Sequence, residues 1–96
     1  MQVKWLKTAL RNLDHEAEYI ASSDPDAAKK LVATIFNSVD NLKINPSLGR
    51  PGRIVGTREL VVPGTRYLIP YRINLEHQRV EILRVFHTSR RTPQSW

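Results

Sequence analysis

The stretch Thr65–His87, TRYLIPYRINLEHQRVEILRVFH, contains two segments in which side chains alternate along the chain. Such alternation predicts β-strands, because successive side chains of a strand point to opposite faces of the sheet. One strand is predicted over Thr65–Asn74 and the other over Arg79–His87, with the polar connection Leu75–Gln78 between them. Pro70 has no N–H to donate, so we expect a sheet edge or a bulge at that residue.

The sheet extends to residues upstream of this stretch. Thr57–Val62 predicts another strand, and the turn pair Pro63-Gly64 joins it to the strand that follows. A short N-terminal strand is predicted over Gln2–Leu6. Because Arg79–His87 carries apolar residues on both faces, we expect it to lie in the interior of the sheet.

Two helices are predicted between the N-terminal strand and the loop 45–56. The first has Thr8 as its N-cap and ends at Ser22-Ser23; the second starts with Asp24 as its cap and Pro25 in its first turn, and Asn45-Pro46 stops it. Because the link is so short, the helices must pack as an antiparallel hairpin. The apolar stripes of the two helices consist of Leu10, Leu13, Ala17 and Ile20, and of Ala28, Leu31, Val32, Ile35, Phe36, Val39 and Leu42.

The order βααβββ predicts an α+β fold with an antiparallel sheet and the N-terminal helical hairpin packed on one face. The 96 residues are expected to form a single domain, 1–96. Cysteine is absent, which excludes a disulfide framework, a thiolate zinc site and a Cys nucleophile. No apolar run approaches the ~18 residues of a membrane span, and the N-terminus lacks a signal-peptide pattern, so we expect a cytoplasmic protein without membrane contact.

The net charge of +6 is unevenly distributed. Residues 1–48 contain six Lys+Arg and six acidic residues, whereas residues 49–96 contain nine Arg, no Lys and three Glu. Guanidinium groups suit phosphates, carboxylates and base stacking, which favours an acidic partner such as a nucleic acid or an acidic protein segment. A solvated basic surface that aids solubility is the alternative.

Several kinds of site are excluded or disfavoured by the sequence. The three histidines have no ligand spacing, so no metal site is expected, and no cofactor is expected because nucleotide-binding motifs are absent. Glu16 and Glu18 cannot share a helix face and are interpreted as solvated charges. His87 is either a hydrogen-bonded structural residue or a general base.

The cations of the last strand and tail have two interpretations each. Arg84 shares a strand face with apolar residues, so it is either ion-paired or at an open edge, or it is a cation presented on a concave sheet face. Arg90 and Arg91 are a solvated pair or, together with Trp96, a nucleic-acid contact.

An ordered set of residues along nearly the whole chain resembles the RelE/ParE toxins of bacterial type II toxin–antitoxin systems. The set consists of Trp5, Ala9, Leu13, Tyr19-Ile20, Asp24-Pro25, Ala28, Asn45-Pro46, Gly49-Arg50, Gly56–Val61, Tyr67, Ile69–Arg72, Glu81–Val85, His87 and Arg90-Arg91. The resemblance implies the same βααβββ fold. It also implies a cognate acidic antitoxin, whose helix would lie along the apolar groove of the hairpin; the contacts expected there are Leu10, Leu13, Leu31 and Ile35.

The resemblance implies one of two activities. RelE-type toxins cleave mRNA on the ribosome, and for such a nuclease the matching residues here are Arg58, Arg72, Arg84 and His87. ParE-type toxins inhibit DNA gyrase without chemistry of their own. The segment 56–62, GTRELVV, is more similar to the ParE branch, and the tail has no tyrosine.

The ParE-like interpretation is therefore favoured, with no catalytic residue of its own. The expected target contacts are Arg84, His87, Arg90, Arg91 and Trp96. A ribosome-dependent endoribonuclease is the alternative, and a non-toxic basic binding domain is a weaker one.

Overall fold

A computed structural model describes residues 1–96 and contains two helices packed on one face of a six-stranded sheet. The elements are β1 (Gln2–Trp5), α1 (Lys7–Ala21), α2 (Pro25–Asp40), β2 (Arg50–Pro51), β3 (Arg58–Val61), β4 (Tyr67–Asn74), β5 (Arg79–Ile82) and β6 (Phe86–His87). A 3-10 turn, Asn41–Lys43, follows α2 directly. Neither α1 nor α2 has the length and apolar character that a membrane-crossing helix needs.

The strands lie in the order β1-β5-β4-β3-β2, and β6 pairs with the start of β4. Every pair is antiparallel except β1 with β5, which is parallel. The predicted α+β fold is confirmed, and the sheet is mixed only at this one pair. After the helical hairpin, strands β2 to β5 follow as an antiparallel meander, and β5 runs in the same direction as β1.

The core lies between the hairpin and the sheet face that carries alternate residues of β4. Tyr67, Ile69 and Tyr71 are buried there by Ile35 and Val39 of α2, both completely inaccessible to solvent. Leu31 is partly buried and packs against the same cluster. The helix face predicted from the sequence is thus the face that packs on the sheet.

The two helices begin differently. Asp24 caps α2 as predicted, since its Oδ1 accepts a hydrogen bond from the Ala27 N–H at 3.1 Å. The predicted Thr8 cap is wrong, because α1 already begins at Lys7. Leu6, which precedes it, is extended and donates its N–H to the Ile82 carbonyl at 3.1 Å, so the helix starts where the sheet ends and no side chain caps it.

The predicted strand Arg79–His87 is interrupted by a bulge. Ile82 lies opposite Tyr71 and Phe86 lies opposite Leu68, so three residues, 83–85, face only two residues of β4. One of those two is Pro70, which has no N–H to offer and whose carbonyl accepts from the Leu83 N–H at 2.9 Å. The predicted irregularity at Pro70 is therefore confirmed as a bulge in the strand opposite.

The bulge leaves one backbone donor for α1. The Val85 N–H donates to the Asn12 Oδ1 at 3.2 Å, so a helix side chain replaces the missing strand partner. This contact fixes α1 against the point where β5 turns into β6.

Replacement of Ile35 by alanine tests the packing of α2. Because Ile35 is completely buried, we expect Ile35→Ala to lower the free energy of unfolding by roughly 2–5 kcal/mol. Denaturant unfolding measures this change. Ile44→Ala is the control, since Ile44 is 91% exposed, and its effect should stay within about 0.5 kcal/mol. Equal effects of the two variants would contradict the assigned helix face.

Candidate functional site

A buried carboxylate lies where α1, β4 and the C-terminal segment, Thr88–Trp96, meet. Glu16 is only 3% exposed, so its interpretation as a solvated charge is wrong, whereas Glu18 is exposed as expected. The Tyr67 hydroxyl donates to Glu16 at 3.1 Å, and the Arg90 guanidinium lies 3.0 Å from the same carboxylate. The signal that the sequence offered was spacing: Glu16 follows the buried Leu13 by three residues and therefore shares its helix face.

Burial and the neighbouring charge set the protonation of this cluster. Burial, and then the Glu16 carboxylate, raise the pKa of Tyr67 to about 12. The hydrogen bond to Glu16 raises the pKa of Arg90 above its already high ordinary value. At neutral pH, Tyr67 is consequently protonated and donates a hydrogen bond to Glu16, and Arg90 is a cation.

An open cleft of about 760 Å³ covers this cluster. One wall is apolar and includes Ile20 and Leu31 of the hairpin; the other carries the cation Arg66 and the half-buried His87. His87 is held by a local turn, because its Nδ1 lies 2.6 Å from the Ser89 hydroxyl and accepts from the Ser89 N–H at 3.2 Å. Cations beside an apolar wall suit an acidic ligand that also has apolar groups.

The four residues proposed for a nuclease do not lie together. Arg58 is opposite Tyr71 and shares its sheet face, whereas Arg72, the next residue of β4, points to the other face. His87 is opposite Tyr67, four residues from Tyr71, which is about 13 Å along the strand. Arg84 lies in the bulge.

Each of the three arginines in that set has a local partner. Arg58 donates to the Gly49 carbonyl at 2.6 Å and so fastens the preceding loop. Arg72 donates to Glu81 at 2.5 Å. Arg84 contacts no carboxylate at ion-pair distance and donates to the Leu83 carbonyl at 2.9 Å.

Gly49 has no space for a side chain. A Cβ there would lie 2.6 Å from Cε1 of Tyr71, whose hydroxyl accepts from the Gly49 N–H at 2.8 Å. The same hydroxyl donates to the Pro46 carbonyl at 2.7 Å. Arg58 therefore holds a loop that is already packed onto the core, which is a structural task.

Glu81 binds two arginines at once. It is 2% exposed and accepts from Arg72 and from Arg79, the latter at 2.7 Å. These hydrogen bonds lower the pKa of Glu81 to about 2, and Asn74 contributes a weaker one at 3.4 Å. Arg72 and Arg79 thus share one buried carboxylate within the domain.

The C-terminal segment, Thr88–Trp96, contacts both sides of the sheet: Arg90 reaches Glu16 on the helix side, whereas Trp96 lies with Phe86 on the opposite face. Trp96 packs with its ring centroid 5.4 Å from that of Phe86, and the Arg53 guanidinium lies 5.1 Å from the Trp96 ring centroid. Arg53 also donates to the Pro93 carbonyl. Of the residues predicted to contact a target, Arg91 is exposed and has no carboxylate partner, whereas Arg90 is held by Glu16 and Trp96 is half-buried.

The residues predicted to bind an antitoxin do not form one surface. Leu13 and Ile35 are 4% and 0% exposed, because they lie on the side of the hairpin that faces the sheet. Leu10 is 40% exposed, and Leu31 lines the cleft over Glu16. Only the last two are accessible on the folded domain.

Comparison with known proteins gives consistent results. The model of the family described as "ParE toxin of type II toxin-antitoxin system, parDE" matches residues 3–92. The candidate toxin Y4kP of Sinorhizobium fredii (strain NBRC 101917 / NGR234) is 48% identical over 93 residues, which cover 97% of this chain and 94% of that protein.

Solved structures agree with the sequence relatives. A chain of the chromosomal ParDE toxin–antitoxin system from P. aeruginosa superposes with a TM-score of 0.81 at 28% identity, over 91% of this chain and 95% of that one. The toxin–antitoxin complex RelBE2 from Mycobacterium tuberculosis gives a TM-score of 0.60 at 32% identity, over 90% and 95%. A YoeB/ParE toxin from Agrobacterium tumefaciens, 20% identical, shares the fold with a TM-score of 0.61 over 91% and 98%.

The carboxylate of Glu81 predicts an acid-sensitive contribution to stability. Its pKa in the folded protein is about 2, below the ordinary 4.5, so the stabilisation is present above pH 4.5 and is lost as the pH falls towards 2. Glu81→Gln should flatten the decline of the unfolding free energy between these pH values. Urea unfolding at a series of pH values measures it, with the exposed Glu76→Gln as the control for loss of one negative charge. An unchanged pH profile for Glu81→Gln would contradict the assignment.

Proposed function

The chain belongs to the ParE toxin family of type II toxin–antitoxin systems, and we propose that it acts in the cytoplasm by binding and inhibiting DNA gyrase. The observation that carries this proposal is the dispersal of Arg58, Arg72 and His87. General acid–base catalysis requires groups within hydrogen-bond reach of one reacting centre. Arg58 and Arg72 are on opposite sheet faces, and His87 pairs about 13 Å away from them along β4.

The engagement of the arginines supports the same proposal. Arg72 is bonded to a buried carboxylate and Arg58 to a loop carbonyl, so part of the hydrogen-bonding capacity of each guanidinium is already used within the domain. The backbone is also more similar to the ParDE chain, with a TM-score of 0.81, than to the RelBE2 chain, with 0.60. Inhibition by binding needs a contact surface and no constellation of catalytic groups.

A ribosome-dependent endoribonuclease is the second candidate. The observation that favours it is the cleft, where His87, Arg66 and Arg90 lie around one concave surface. An imidazole beside two cations could serve acid–base chemistry on a phosphate. In that case the ribosome and mRNA would be the target.

We propose an acidic antitoxin as the partner that neutralises the toxin. The relatives solved as ParDE and RelBE2 are toxin–antitoxin systems, and this chain carries a net charge of +6. The cleft over Glu16 offers the cation Arg66 next to the apolar side chains of Ile20 and Leu31. A segment that alternates acidic and apolar residues would satisfy both walls.

Replacement of His87 distinguishes the two activities. For a gyrase inhibitor, His87→Ala should leave the half-inhibitory concentration in a supercoiling assay within about threefold of wild type, because binding energy is distributed over a surface. For a nuclease, the same change should reduce mRNA cleavage in a translation extract by ~10²–10⁴-fold. His77→Ala, in the exposed β4–β5 turn, is the matched control. The proposal would be refuted if the wild type cleaved mRNA but did not inhibit gyrase, and if His87→Ala abolished that cleavage.

Salt dependence tests the antitoxin. The acidic protein encoded beside this chain should co-purify with it, and association should slow strongly at ~1 M salt, where the Debye length is ~3 Å. Arg66→Glu, a charge reversal in the cleft, should slow association more than Lys43→Glu, a reversal outside it. Failure of any acidic protein to co-purify at low salt would argue against this partner.

A further inference from the structure

We propose that Glu16 is a positioning residue that holds the C-terminal segment, Thr88–Trp96, in place to present Arg91 to an acidic protein surface of the target. This inference rests on the proposed function, which it deepens. It starts from the burial of Glu16, which is only 3% exposed and has a single cationic partner. An ionised carboxylate that is removed from water must keep its cation, so Arg90 is bound to this place.

Arg90 connects the buried carboxylate to the surface. Its side chain is 54% exposed although its guanidinium lies 3.0 Å from Glu16. The backbone at this point is fixed as well, because the Arg90 N–H donates to the His87 carbonyl at 3.0 Å. The first residues after β6 therefore have a defined path over the molecule.

The other end of the segment is fastened by a second contact. Arg53 lies over the Trp96 ring and donates to the Pro93 carbonyl, and Trp96 packs on Phe86. Arg91 lies between these two attachment points, exposed and without a carboxylate partner. A cation on a chain that is held at both ends loses little conformational freedom when it binds, which lowers the cost of association.

The charge of Glu16 makes the proposal testable. Glu16→Gln raises the net charge by one, so long-range attraction to an acidic target would become stronger, as it would for Glu18→Gln. If Glu16 positions the segment, Glu16→Gln should instead weaken binding, because Arg90 is released. The two variants differ by two residues on one helix, and Glu18 is exposed, so they form a matched pair.

Tyr67→Phe controls for stability. It removes one hydrogen bond to Glu16, which lowers the melting temperature, and leaves the Arg90 contact intact. A purely structural role of Glu16 would make inhibition follow thermal stability in both variants. A positioning role separates them, since only Glu16→Gln frees the segment.

The experiment measures three quantities on the purified full chain. They are the melting temperature, the backbone 15N heteronuclear NOE of residues 89–96, and the half-inhibitory concentration for gyrase supercoiling. We expect Glu16→Gln to lower the NOE across 89–92 and to raise the half-inhibitory concentration about tenfold, which corresponds to ~1.4 kcal/mol. Tyr67→Phe and Glu18→Gln should leave the NOE of the segment unchanged and the half-inhibitory concentration within about twofold of wild type. If Glu16→Gln does not fold, Glu16→Gln/Arg90→Gln replaces the ion pair by two amides and takes its place.

Two outcomes would overturn the inference. One is a loosened segment with unchanged inhibition; the other is loss of inhibition in Glu16→Gln and Tyr67→Phe in proportion to their melting temperatures. If the wild type does not inhibit gyrase at all, the proposed function fails instead. The same variants are then ranked by growth arrest at matched soluble expression, where an unchanged arrest by Glu16→Gln would overturn the positioning role.

Discussion

The structure depends on the requirement that a buried carboxylate must have a cation. The three charged residues that the domain buries are all glutamates, Glu16, Glu59 and Glu81. Each is bound by arginine from the second half of the chain: Glu16 by Arg90, Glu59 by Arg50 at 3.5 Å, and Glu81 by Arg72 and Arg79. Four of the nine arginines in residues 49–96 are thus engaged inside the domain. Five of the nine arginines therefore have no carboxylate partner within the domain.

This engagement also explains why the residues that looked like a catalytic set are separate. Arg72 matched the sheet cations of the RelE/ParE family, but its guanidinium faces Glu81 on the same strand pair. Arg58 is on the other sheet face and closes a loop whose Gly49 has no room for a side chain. A sequence pattern identifies the residue types, whereas the pairing register decides which of them meet.

The sequence predicted those parts of the fold that depend on periodicity and backbone chemistry. Alternation located β4 and β5, Asp24-Pro25 located the start of α2, and the missing N–H of Pro70 located the bulge. Contacts between residues distant in the chain were not predictable in this way. Glu16 resembled a solvated charge because its partners, Tyr67 and Arg90, lie 51 and 74 positions away. The parallel pairing of β1 with β5 and the start of α1 at Lys7 likewise depend on distant residues, because β1 pairs with Arg79–Ile82 and the Leu6 N–H donates to the Ile82 carbonyl.

The adjacent pair Arg90-Arg91 shows how much this distinction matters for function. The two residues are identical in type, but Arg90 neutralises a buried carboxylate and Arg91 has no such partner. Removal of the whole tail would therefore delete the proposed target contact, Arg91, and also leave Glu16 buried without its cation, which is costly for the fold. Loss of toxicity in such a truncation would not separate binding from folding. Substitution at Arg91 alone does separate them, because the Glu16–Arg90 pair and the packing of Trp96 on Phe86 stay in place.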